Sequence, residues 1–462
     1  MHLLFVNPPN SPFTEKSLLI EPVDIVGLAS YMESIGHTIT LVDMDVKQLK
    51  SDQLEKSIDA LNPDCGIIIF DYHIPLHTSE CLPEIQAIAK AFKRKGKKVI
   101  VGGKYATYHP EFFLFEGSPV DITVSHEMEM GLQSILSKPN WNNISLKNTK
   151  GIAFWDGKKI VQTPRNTMKF DLNLSPVTNR KILELEDYID VRTILSSRGC
   201  FMKCDFCHVP GFWGQWRAQS AEKVVDEIEN LALNYGAYKI LFLDDNATAN
   251  PKRMRDISKS ILKRNLKVRL GCLGTIASFE ASTMKLMFEA GFRWIHYGIE
   301  SGDDSMLKAI HKRTNHEKIK DVIHQTKKMG FRVRTSWILD LPHTTAETLQ
   351  NTYNLMMSLE SDEIRIHYLA LRMGSHYYEK YGEKQLTQQY IHKGRPNVFL
   401  TQEDVDLNAF ENKLIEQLQS KNYTLVRNAK DFSNLDELKK KNPKMKIVST
   451  CPLRYGINWE NQ

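Results

Sequence analysis

Residues 198–217, RGCFMKCDFCHVPGFWGQWR, contain three of the chain's seven cysteines. Cys200, Cys204 and Cys207 are spaced by three and then two residues, so one loop can wrap them around a compact soft-metal centre. The loop follows the apolar stretch VRTILSS, which predicts a β-strand. Two metal centres are compatible with this spacing. One is a zinc ion completed by His208, and the other is an iron-sulfur cluster with one iron left open for a ligand.

The bulk composition is that of a folded globular protein. The 462 residues are enough for two or three domains, and 42% apolar with 25% charged residues is typical of such chains. The net charge of +6 is mild, and no basic stripe is interleaved with aromatics, so we expect no nucleic-acid partner. No apolar run approaches the roughly 20 residues that cross a bilayer. We therefore predict a cytoplasmic protein without a membrane partner, whose clustered thiols stay reduced.

Residues 1–140 alternate short apolar stretches with helical ones. The strands of an open parallel sheet with helices on both faces are predicted for HLLFVN, TITLVDM, CGIIIF, KKVIVGG and DITVS. Ligands bind such α/β sheets at the carboxyl ends of the strands. The residues at these ends are therefore candidate ligand contacts, and they include Asn7, Tyr72, His73, Gly102, Gly103 and Ser125.

The rest of the chain divides into three parts. Residues 141–190 form a linker with a predicted hairpin, GIAFWDGKKIVQ. Residues 191–371 contain about six strand-helix units, which predicts a partial (βα)6 barrel with a polar lumen. Residues 372–462 are expected to form a small C-terminal α+β region on the substrate side. The cysteine loop leaves the first barrel strand at its carboxyl end, where barrel enzymes place their chemistry, and this position favours a cluster over zinc.

The motif Cys200-x3-Cys204-x2-Cys207, with Phe206 before its last cysteine, resembles that of the radical S-adenosylmethionine (SAM) superfamily. The resemblance implies a [4Fe-4S] cluster whose three cysteines are catalytic and whose open iron binds SAM. An external electron donor of the flavodoxin or ferredoxin type would reduce the cluster, and SAM cleavage would give a 5′-deoxyadenosyl radical. The strand ends in FLDDNAT, YGIES and the fifth barrel strand resemble the family's SAM contacts. They imply SAM-binding roles for Phe206, Asp244, Asp245, Glu300, Ser301 and Arg334.

The first 140 residues narrow the resemblance to one subgroup of this superfamily. FVNPPN, GLASYMESIGH and VIVGGKYATYHPEFFL are similar to the Rossmann-like cobalamin-binding domain that precedes the barrel in one large subgroup. This implies that the strand ends named above bind cobalamin, that Gly102 and Gly103 admit its nucleotide tail, and that His73 can approach the lower face of the corrin. Two motifs depart from the subgroup, since SHEMEM replaces Gly-Glu-Gly-Glu and DLPHTT replaces Gly-x-Pro-Gly-Glu-Thr.

We therefore expect a cobalamin-dependent radical SAM enzyme, similar to class B methyltransferases, that methylates an unactivated carbon or phosphorus centre of a small metabolite or natural-product precursor. One alternative keeps both domains for a non-methylating reaction, such as rearrangement, cyclisation or transfer of another part of SAM. A methylthiotransferase fits less well, because that family carries three further cluster cysteines in its N-terminal domain and this chain offers only Cys65 and Cys81. A non-enzymatic metal or cobalamin sensor is the remaining alternative.

Overall fold

The computed structural model describes residues 1–9, 19–72, 81–386, 405–426 and 445–449. The chain divides into two compact units, Met1–Tyr188 and Ile189–Gln462. His73, a predicted cobalamin contact, lies outside the described residues. Within the described ranges, no helix is both long and apolar enough to span a bilayer. The cysteines in these ranges are free thiols.

The first unit is built on one seven-stranded sheet. Its strands are β1 (His2–Asn7), β2 (Thr38–Asp43), β3 (Cys65–Ile69), β4 (Lys98–Gly102), β5 (Ile122–Val124), β6 (Ile152–Trp155) and β7 (Ile160–Gln162). Its helices are α1 (Val23–Ser34), α2 (Ser51–Leu61), α3 (Leu82–Arg94), α4 (Lys104–Tyr108), α5 (Met128–Leu136) and α6 (Asn143–Lys147). The order is β2-β1-β3-β4-β5-β6-β7, in which β1 to β5 are parallel and β6 and β7 add antiparallel.

The parallel part of this sheet is an α/β fold whose strand order reverses between β1 and β3. Side chains of β3 are buried on both faces, as its apolar sequence CGIII requires. Helix α2 contacts α3 and α1 contacts α5, which indicates two helical layers. In sheets of this order, ligands bind where the order reverses. The hairpin predicted in the linker forms β6 and β7 and extends the same sheet.

A fully buried ion pair joins the linker, residues 141–190, to the segment before helix α1 of the first unit. Arg180 Nε lies 3.0 Å from Glu21 Oε2, and the two side chains are 0% and 1% exposed. Because Glu21 lies two residues before the first residue of α1, the pair joins the segment after β7 to the start of that helix. Tyr188 makes a second connection, since its hydroxyl donates to Asp43 Oδ2 at 2.7 Å, at the carboxyl end of β2.

The second unit is built on ten strands and nine helices in the described ranges. The strands are β8 (Arg192–Ile194), β9 (Ser197–Arg198), β10 (Arg217–Ala218), β11 (Lys239–Phe242), β12 (Arg269–Gly274), β13 (Phe292–Glu300), β14 (Arg332–Ile338), β15 (Glu363–His367), β16 (Tyr423–Val426) and β17 (Lys446–Ser449). The helices are α7 (Val209–Trp213), α8 (Ala221–Tyr235), α9 (Pro251–Lys263), α10 (Ala281–Glu289), α11 (Asp304–Ala309), α12 (His316–Lys328), α13 (Ala346–Leu359), α14 (His376–Leu386) and α15 (Leu407–Ser420). Strands β9 and β10 pair with each other, and the other eight form a parallel sheet of order β16-β17-β15-β14-β13-β12-β11-β8.

In this unit the described helices cover one face of the eight-stranded sheet. Alternate strand side chains pack with α8, α9, α10, α12, α13 and α15 in a single core. On β13 and β14 the covered residues are Ile295, Tyr297, Ile299, Val333 and Trp337. The residues between them project from the opposite face, which we call the inner face. A parallel sheet with its helices outside is the arrangement of a βα barrel, and the inner face carries the polar residues that the sequence predicted.

The C-terminal region contains helices and strands, as predicted, and it also extends the barrel sheet beyond the six predicted strands. β17 pairs with β15 and β16 pairs with β17, both in parallel. Helix α15 packs into the barrel core through Leu414 and Leu418. The added strands have four residues each, too few for a clear alternating pattern in the sequence.

Arg180→Met should destabilise the first unit, because Glu21 would stay buried without this cation. Breaking a buried pair on one side costs roughly 3–5 kcal/mol, which we expect as a lower free energy of unfolding in urea, followed by circular dichroism. The control is Lys95→Met, whose pair with Asp59 is exposed and contributes roughly 0–1 kcal/mol. Equal losses in the two variants would contradict the role given to Arg180.

Candidate active site

The cysteine loop starts at strand β9 and ends at strand β10, which form a two-stranded antiparallel sheet. Strands β9 and β10 pair antiparallel, so Arg198 and Arg217 lie opposite each other. Gly199 follows with φ +84°, and a Cβ there would lie 2.8 Å from the Gln215 carbonyl oxygen. Glycine is the residue that fits such a turn without strain. Backbone geometry therefore fixes both ends of the loop.

The middle of the loop is held by two other segments of the same unit. The Asp205 N–H donates to the Ile310 carbonyl at 3.3 Å, and the Asp205 carbonyl accepts from the Tyr377 N–H at 2.9 Å. The backbones of Gly211 and Gly374 approach so closely that a Cβ on Gly211 would lie 2.0 Å from the Gly374 carbonyl oxygen. These contacts set the path of the loop before any ligand binds.

The loop brings the three predicted cysteines within electrostatic range of one another. Cys204 is buried, whereas Cys200 and Cys207 are partly exposed. Burial raises the pKa of Cys204 and of Cys207, and Cys200 raises both further. Asn246 Nδ2 donates to the Cys200 sulfur at 3.5 Å. Thiols in this setting ionise when a metal centre binds them.

The arrangement of these residues fits a cluster better than a zinc ion. In the described ranges, no three His, Cys, Asp or Glu side chains converge as ligands of a single ion. His208, the fourth ligand of the zinc alternative, is buried directly before α7. In an iron-sulfur cluster each cysteine binds a different iron, so the sulfurs surround the group and do not meet at one point.

Glu300 ends β13 beside this loop in a strained backbone conformation. Its φ is +74°, and the pairing register of β13 with β14 shifts there. Glu300 Oε1 lies 3.0 Å from Lys312 Nζ. Burial alone would lower the pKa of Lys312, but Glu300 and the thiols of Cys204 and Cys207 raise it overall. The site therefore contains a charged ammonium between an acid and two cluster cysteines.

Sequence reasoning missed Lys312. It stands in the short loop between α11 and α12, twelve residues after Glu300, where a lone lysine in HKRT resembles any solvated loop residue. Its Nζ also lies 5.9 Å from the ring centroid of Phe206, a predicted SAM contact. Phe206 in turn packs against an apolar cluster that includes Ile310 and Tyr377.

The two adjacent acids after β11 have different environments. Asp245 is partly exposed, and its Oδ2 accepts from the Gly199 N–H at 3.1 Å. Asp244 is fully buried and accepts from the Ser196 N–H, the Ser196 hydroxyl and the Ser197 hydroxyl, each at 2.6 Å. Both oxygens of Asp244 are thus used to join the end of β8 to β11. Asp244 therefore has a structural role in this corner, and its SAM-binding role stays a prediction.

Two further predicted SAM contacts are also engaged by the protein itself. Arg334 is buried, and its Nε donates to Glu363 Oε2 at 2.6 Å. The Ser301 hydroxyl lies 3.2 Å from the Thr352 hydroxyl. Each side chain therefore has a protein partner that stabilises the barrel, and the SAM-binding roles of Arg334 and Ser301 stay predictions.

In the first unit, several candidate cobalamin contacts bind neighbouring protein groups. Asn7 Nδ2 donates to Asp43 Oδ1 at 2.9 Å. The Tyr72 hydroxyl accepts from the Met128 N–H at 3.1 Å. The Ser125 hydroxyl donates to a backbone carbonyl at 3.1 Å. The described edge of this sheet is therefore already ordered by internal hydrogen bonds.

Gly102 is the last residue of β4 and Gly103 follows it. Neighbouring protein groups explain why both positions are glycine. A Cβ on Gly102 would lie 2.1 Å from Met128 Sδ, and one on Gly103, at φ +119°, would lie 1.8 Å from the Phe70 carbonyl oxygen. A side chain therefore does not fit at either position, and at Gly102 the neighbour is Met128 of the divergent SHEMEM motif. The role of Gly102 and Gly103 in admitting a nucleotide tail stays a prediction.

Lys104 is a second residue that the sequence did not reveal. Its side chain is 3% exposed, and Nζ donates to the Asp71 carbonyl at 3.2 Å and to the Tyr72 carbonyl. Asp71 adopts a φ of +52°. Together these contacts set the direction in which the chain leaves β3, toward the segment that contains His73.

Each divergent motif contains one histidine at positive φ. His126 in SHEMEM has φ +59°, and His343 in DLPHTT has φ +69°. Positive φ is ordinarily a glycine conformation. Asp340, the first residue of DLPHTT, is fully buried and accepts from the Leu369 N–H.

Comparison with known proteins agrees with this geometry. Residues 194–356 match the Radical SAM superfamily. The chain is 26% identical over 372 residues to an uncharacterized methyltransferase of Pyrococcus horikoshii, covering 78% of this chain and 79% of that protein. It is 27% identical over 380 residues to the anaerobic magnesium-protoporphyrin IX monomethyl ester cyclase of Rubrivivax gelatinosus, covering 78% of this chain and 66% of the cyclase.

Two solved proteins share the fold over most of this chain. The radical SAM methyltransferase TsrM of Kitasatospora setae, solved with cobalamin and a [4Fe-4S] cluster, gives a TM-score of 0.71 at 17% identity, covering 83% of this chain and 75% of TsrM. Another TsrM structure holds a tryptophan substrate and aza-SAM. The cobalamin-dependent radical enzyme OxsB, solved with aqua-cobalamin and SAM, gives 0.68 at 18% identity, covering 91% of this chain and 61% of OxsB. The chain thus spans less than two thirds of OxsB.

The second unit therefore contains a radical SAM domain, residues 194–356, and the chain is an enzyme. More narrowly, it has the fold of the cobalamin-dependent radical SAM group, and the resemblance seen in the motifs is confirmed.

Replacing Cys200, Cys204 or Cys207 by Ala should abolish the visible charge-transfer absorption of the anaerobically reconstituted protein, because each change removes a thiolate ligand. The matched control is Cys272→Ala, since Cys272 is fully buried in the core of the same unit. Its spectrum and iron content should stay unchanged. A cluster kept by Cys204→Ala and lost by Cys272→Ala would contradict the ligand assignment.

Proposed function

We propose that this chain is a cobalamin-dependent radical SAM enzyme that methylates a carbon or phosphorus centre of a small molecule. The observation that carries the proposal is the three-cysteine loop at the carboxyl end of the barrel sheet, with Asp245, Glu300 and Lys312 around it. The likeness to TsrM, a methyltransferase solved with cobalamin and a cluster, supports the cofactor set. When bound, the cluster and SAM supply radical chemistry, and cobalamin supplies the methyl group.

The chain's own residues would hold and orient these groups. The three cysteines would bind the cluster as thiolates. SAM carries an ammonium and a carboxylate on its methionine part, and the site offers an acid and an ammonium close together. Glu300 would accept from the SAM ammonium and Lys312 would donate to its carboxylate, both as charge-assisted hydrogen bonds. Asp245 and Phe206 would complete the pocket and exclude water.

Cobalamin would lie at the carboxyl ends of the first sheet, near the reversal of strand order between β1 and β3. Tyr72 and Ser125 stand at described strand ends on this edge. Asn7, Gly102 and Gly103 stand at the same edge and stay proposed cobalamin contacts, with the two glycines toward its nucleotide tail. His73 stays a proposed lower-face contact outside the described residues.

A second candidate is a non-methylating reaction on the same two cofactors, such as a cyclisation. The likeness to the Rubrivivax gelatinosus cyclase favours it. So do Asp340 and His343, which replace two glycines of the subgroup beside the proposed SAM pocket. A methylthiotransferase has less support, because residues 1–188 contain two cysteines, Cys65 and Cys81, and both are buried.

The radical reaction also needs an electron from outside the chain. We propose a small donor of the flavodoxin or ferredoxin type. We also propose a cytoplasmic setting, because the described cysteines are all free and thiols persist in a reducing compartment.

Glu300→Gln should weaken SAM binding about tenfold or more without lowering the iron content, because the change keeps the shape of the side chain and removes its charge. SAM binding to the reconstituted protein, with iron analysis, measures both quantities. Glu289→Gln, at the exposed end of α10, is the control. Unaltered SAM affinity in Glu300→Gln would remove this acid from the proposed site.

Product analysis tests the function itself. The protein is reconstituted anaerobically with iron, sulfide and cobalamin, then supplied with SAM, a reductant and small-molecule fractions, and its products are identified by mass spectrometry. Methylation predicts S-adenosylhomocysteine together with 5′-deoxyadenosine, because two SAM molecules are used in different ways. If only 5′-deoxyadenosine formed, the non-methylating candidate would be favoured. A cluster-containing protein that bound no cobalamin would overturn methyl transfer.

A further inference from the structure

Asn246 contacts the cysteine loop and has no part in the proposed SAM site. It stands four residues after the end of β11 and is 2% exposed. Its Nδ2 donates to the Cys200 sulfur at 3.5 Å. The same sulfur accepts from the Met202 N–H, also at 3.5 Å. Of these two donors only the Asn246 amide belongs to a side chain, so a substitution can remove it without altering the backbone.

A polar network fixes which end of the Asn246 amide faces the sulfur. The Thr248 hydroxyl donates to Asn246 Oδ1 at 3.3 Å. Its oxygen accepts from the Thr275 N–H at 3.2 Å and lies 3.0 Å from the Ser278 hydroxyl. A hydroxyl has one proton to donate and two lone pairs that accept, so both kinds of contact are satisfied at once. Because Oδ1 is engaged by Thr248, the amide nitrogen is directed at Cys200.

Close packing at the end of β12 keeps this network in place. Thr248 is buried, and a Cβ on Gly274, the last residue of β12, would lie 2.9 Å from Thr248 Oγ1. Thr275 follows and leads into the short helical turn Ile276–Ser278. The donor to Cys200 is therefore supported by the segments that follow two neighbouring barrel strands, and its position needs no ligand.

A hydrogen-bond donor beside a cluster thiolate affects the two redox states of the cluster unequally. Reduction by one electron adds negative charge, which is shared by the irons and their sulfur ligands. A hydrogen bond to a sulfur stabilises the more negative state more strongly, and hydrogen bonds to the sulfurs are among the factors that set the reduction potential. Burial strengthens the effect, because the local dielectric is lower than that of water.

We infer that Asn246, oriented by Thr248, raises the reduction potential of the cluster through its hydrogen bond to Cys200. This inference rests on the proposed radical SAM function and deepens it, because the radical reaction begins with one electron on the cluster. The amide would make that electron accessible to a weaker reductant. Asn246 is a positioning residue, since it acts through Cys200 and not on SAM.

The test measures the potential of the cluster and needs no turnover. The full chain is reconstituted anaerobically with iron and sulfide, without SAM. It is then titrated with titanium(III) citrate and redox mediators, while electron paramagnetic resonance follows the reduced cluster. Asn246→Leu keeps the size of the side chain and removes the donor. At a fixed potential its ratio of reduced to oxidised cluster should fall about tenfold, which is a midpoint about 59 mV lower for one electron.

Three further variants separate the hydrogen bond from packing. Thr248→Val keeps the amide and removes the hydroxyl that orients it, so the ratio should fall about threefold. Asn246→Asp replaces the donor by a negative acceptor, so the ratio should fall further than in Asn246→Leu. Asn234→Leu, at an exposed position of α8, makes the same chemical change away from the cluster. This control should stay within about twofold of the wild-type ratio.

The outcomes distinguish this inference from the proposed function. A wild-type midpoint potential in Asn246→Leu, at full iron content, would overturn the inference. If Asn246→Leu held no cluster, Thr248→Val would decide, and a wild-type potential there would overturn it. A wild-type cluster that responded as expected to these substitutions but cleaved no SAM would contradict the proposed function and leave the role of Asn246 standing. A wild-type protein that assembled no cluster would contradict both.

Discussion

The buried carboxylate of Asp244 is the interaction on which the site depends. It accepts three hydrogen bonds from Ser196 and Ser197, and so fixes where the chain leaves the first barrel strand. Arg253 reinforces the same corner, because its guanidinium donates to the Ser196 and Gln219 carbonyls at 3.0 and 2.8 Å. The cysteine loop begins two residues after Ser197. Its thiols can therefore be held in place by bonds that involve no ligand.

Much of the fold follows from patterns that a sequence displays openly. Alternating apolar stretches predicted both parallel sheets, and the spacing of Cys200, Cys204 and Cys207 predicted the cluster loop. Both signals are local, since each is contained in a few consecutive residues. The four-residue strands β16 and β17 have no such local pattern, because their place is decided by pairing with β15.

The site was harder to predict because burial and partners are not local. Asp244 and Asp245 are neighbours of the same type, yet one is saturated inside the protein and the other is partly exposed. Arg334 was predicted to bind SAM, and the sequence did not reveal that Glu363 on the next strand is its partner within the protein. Lys312 reaches the cysteines from a loop between helices, where no sequence pattern marks it. Met128 packs against Gly102 through a contact between a helix and a strand, so a side chain does not fit there.

The positive φ of Glu300 is tolerated because the same side chain has a buried ionic partner. A glycine there would adopt the backbone without steric strain, which stabilises by roughly 1–3 kcal/mol. It would also leave Lys312 buried without its acid, which costs roughly 3–5 kcal/mol. Selection for thermal stability alone would therefore keep an acid at residue 300, so its retention in a stabilised variant would carry no record of selection for activity.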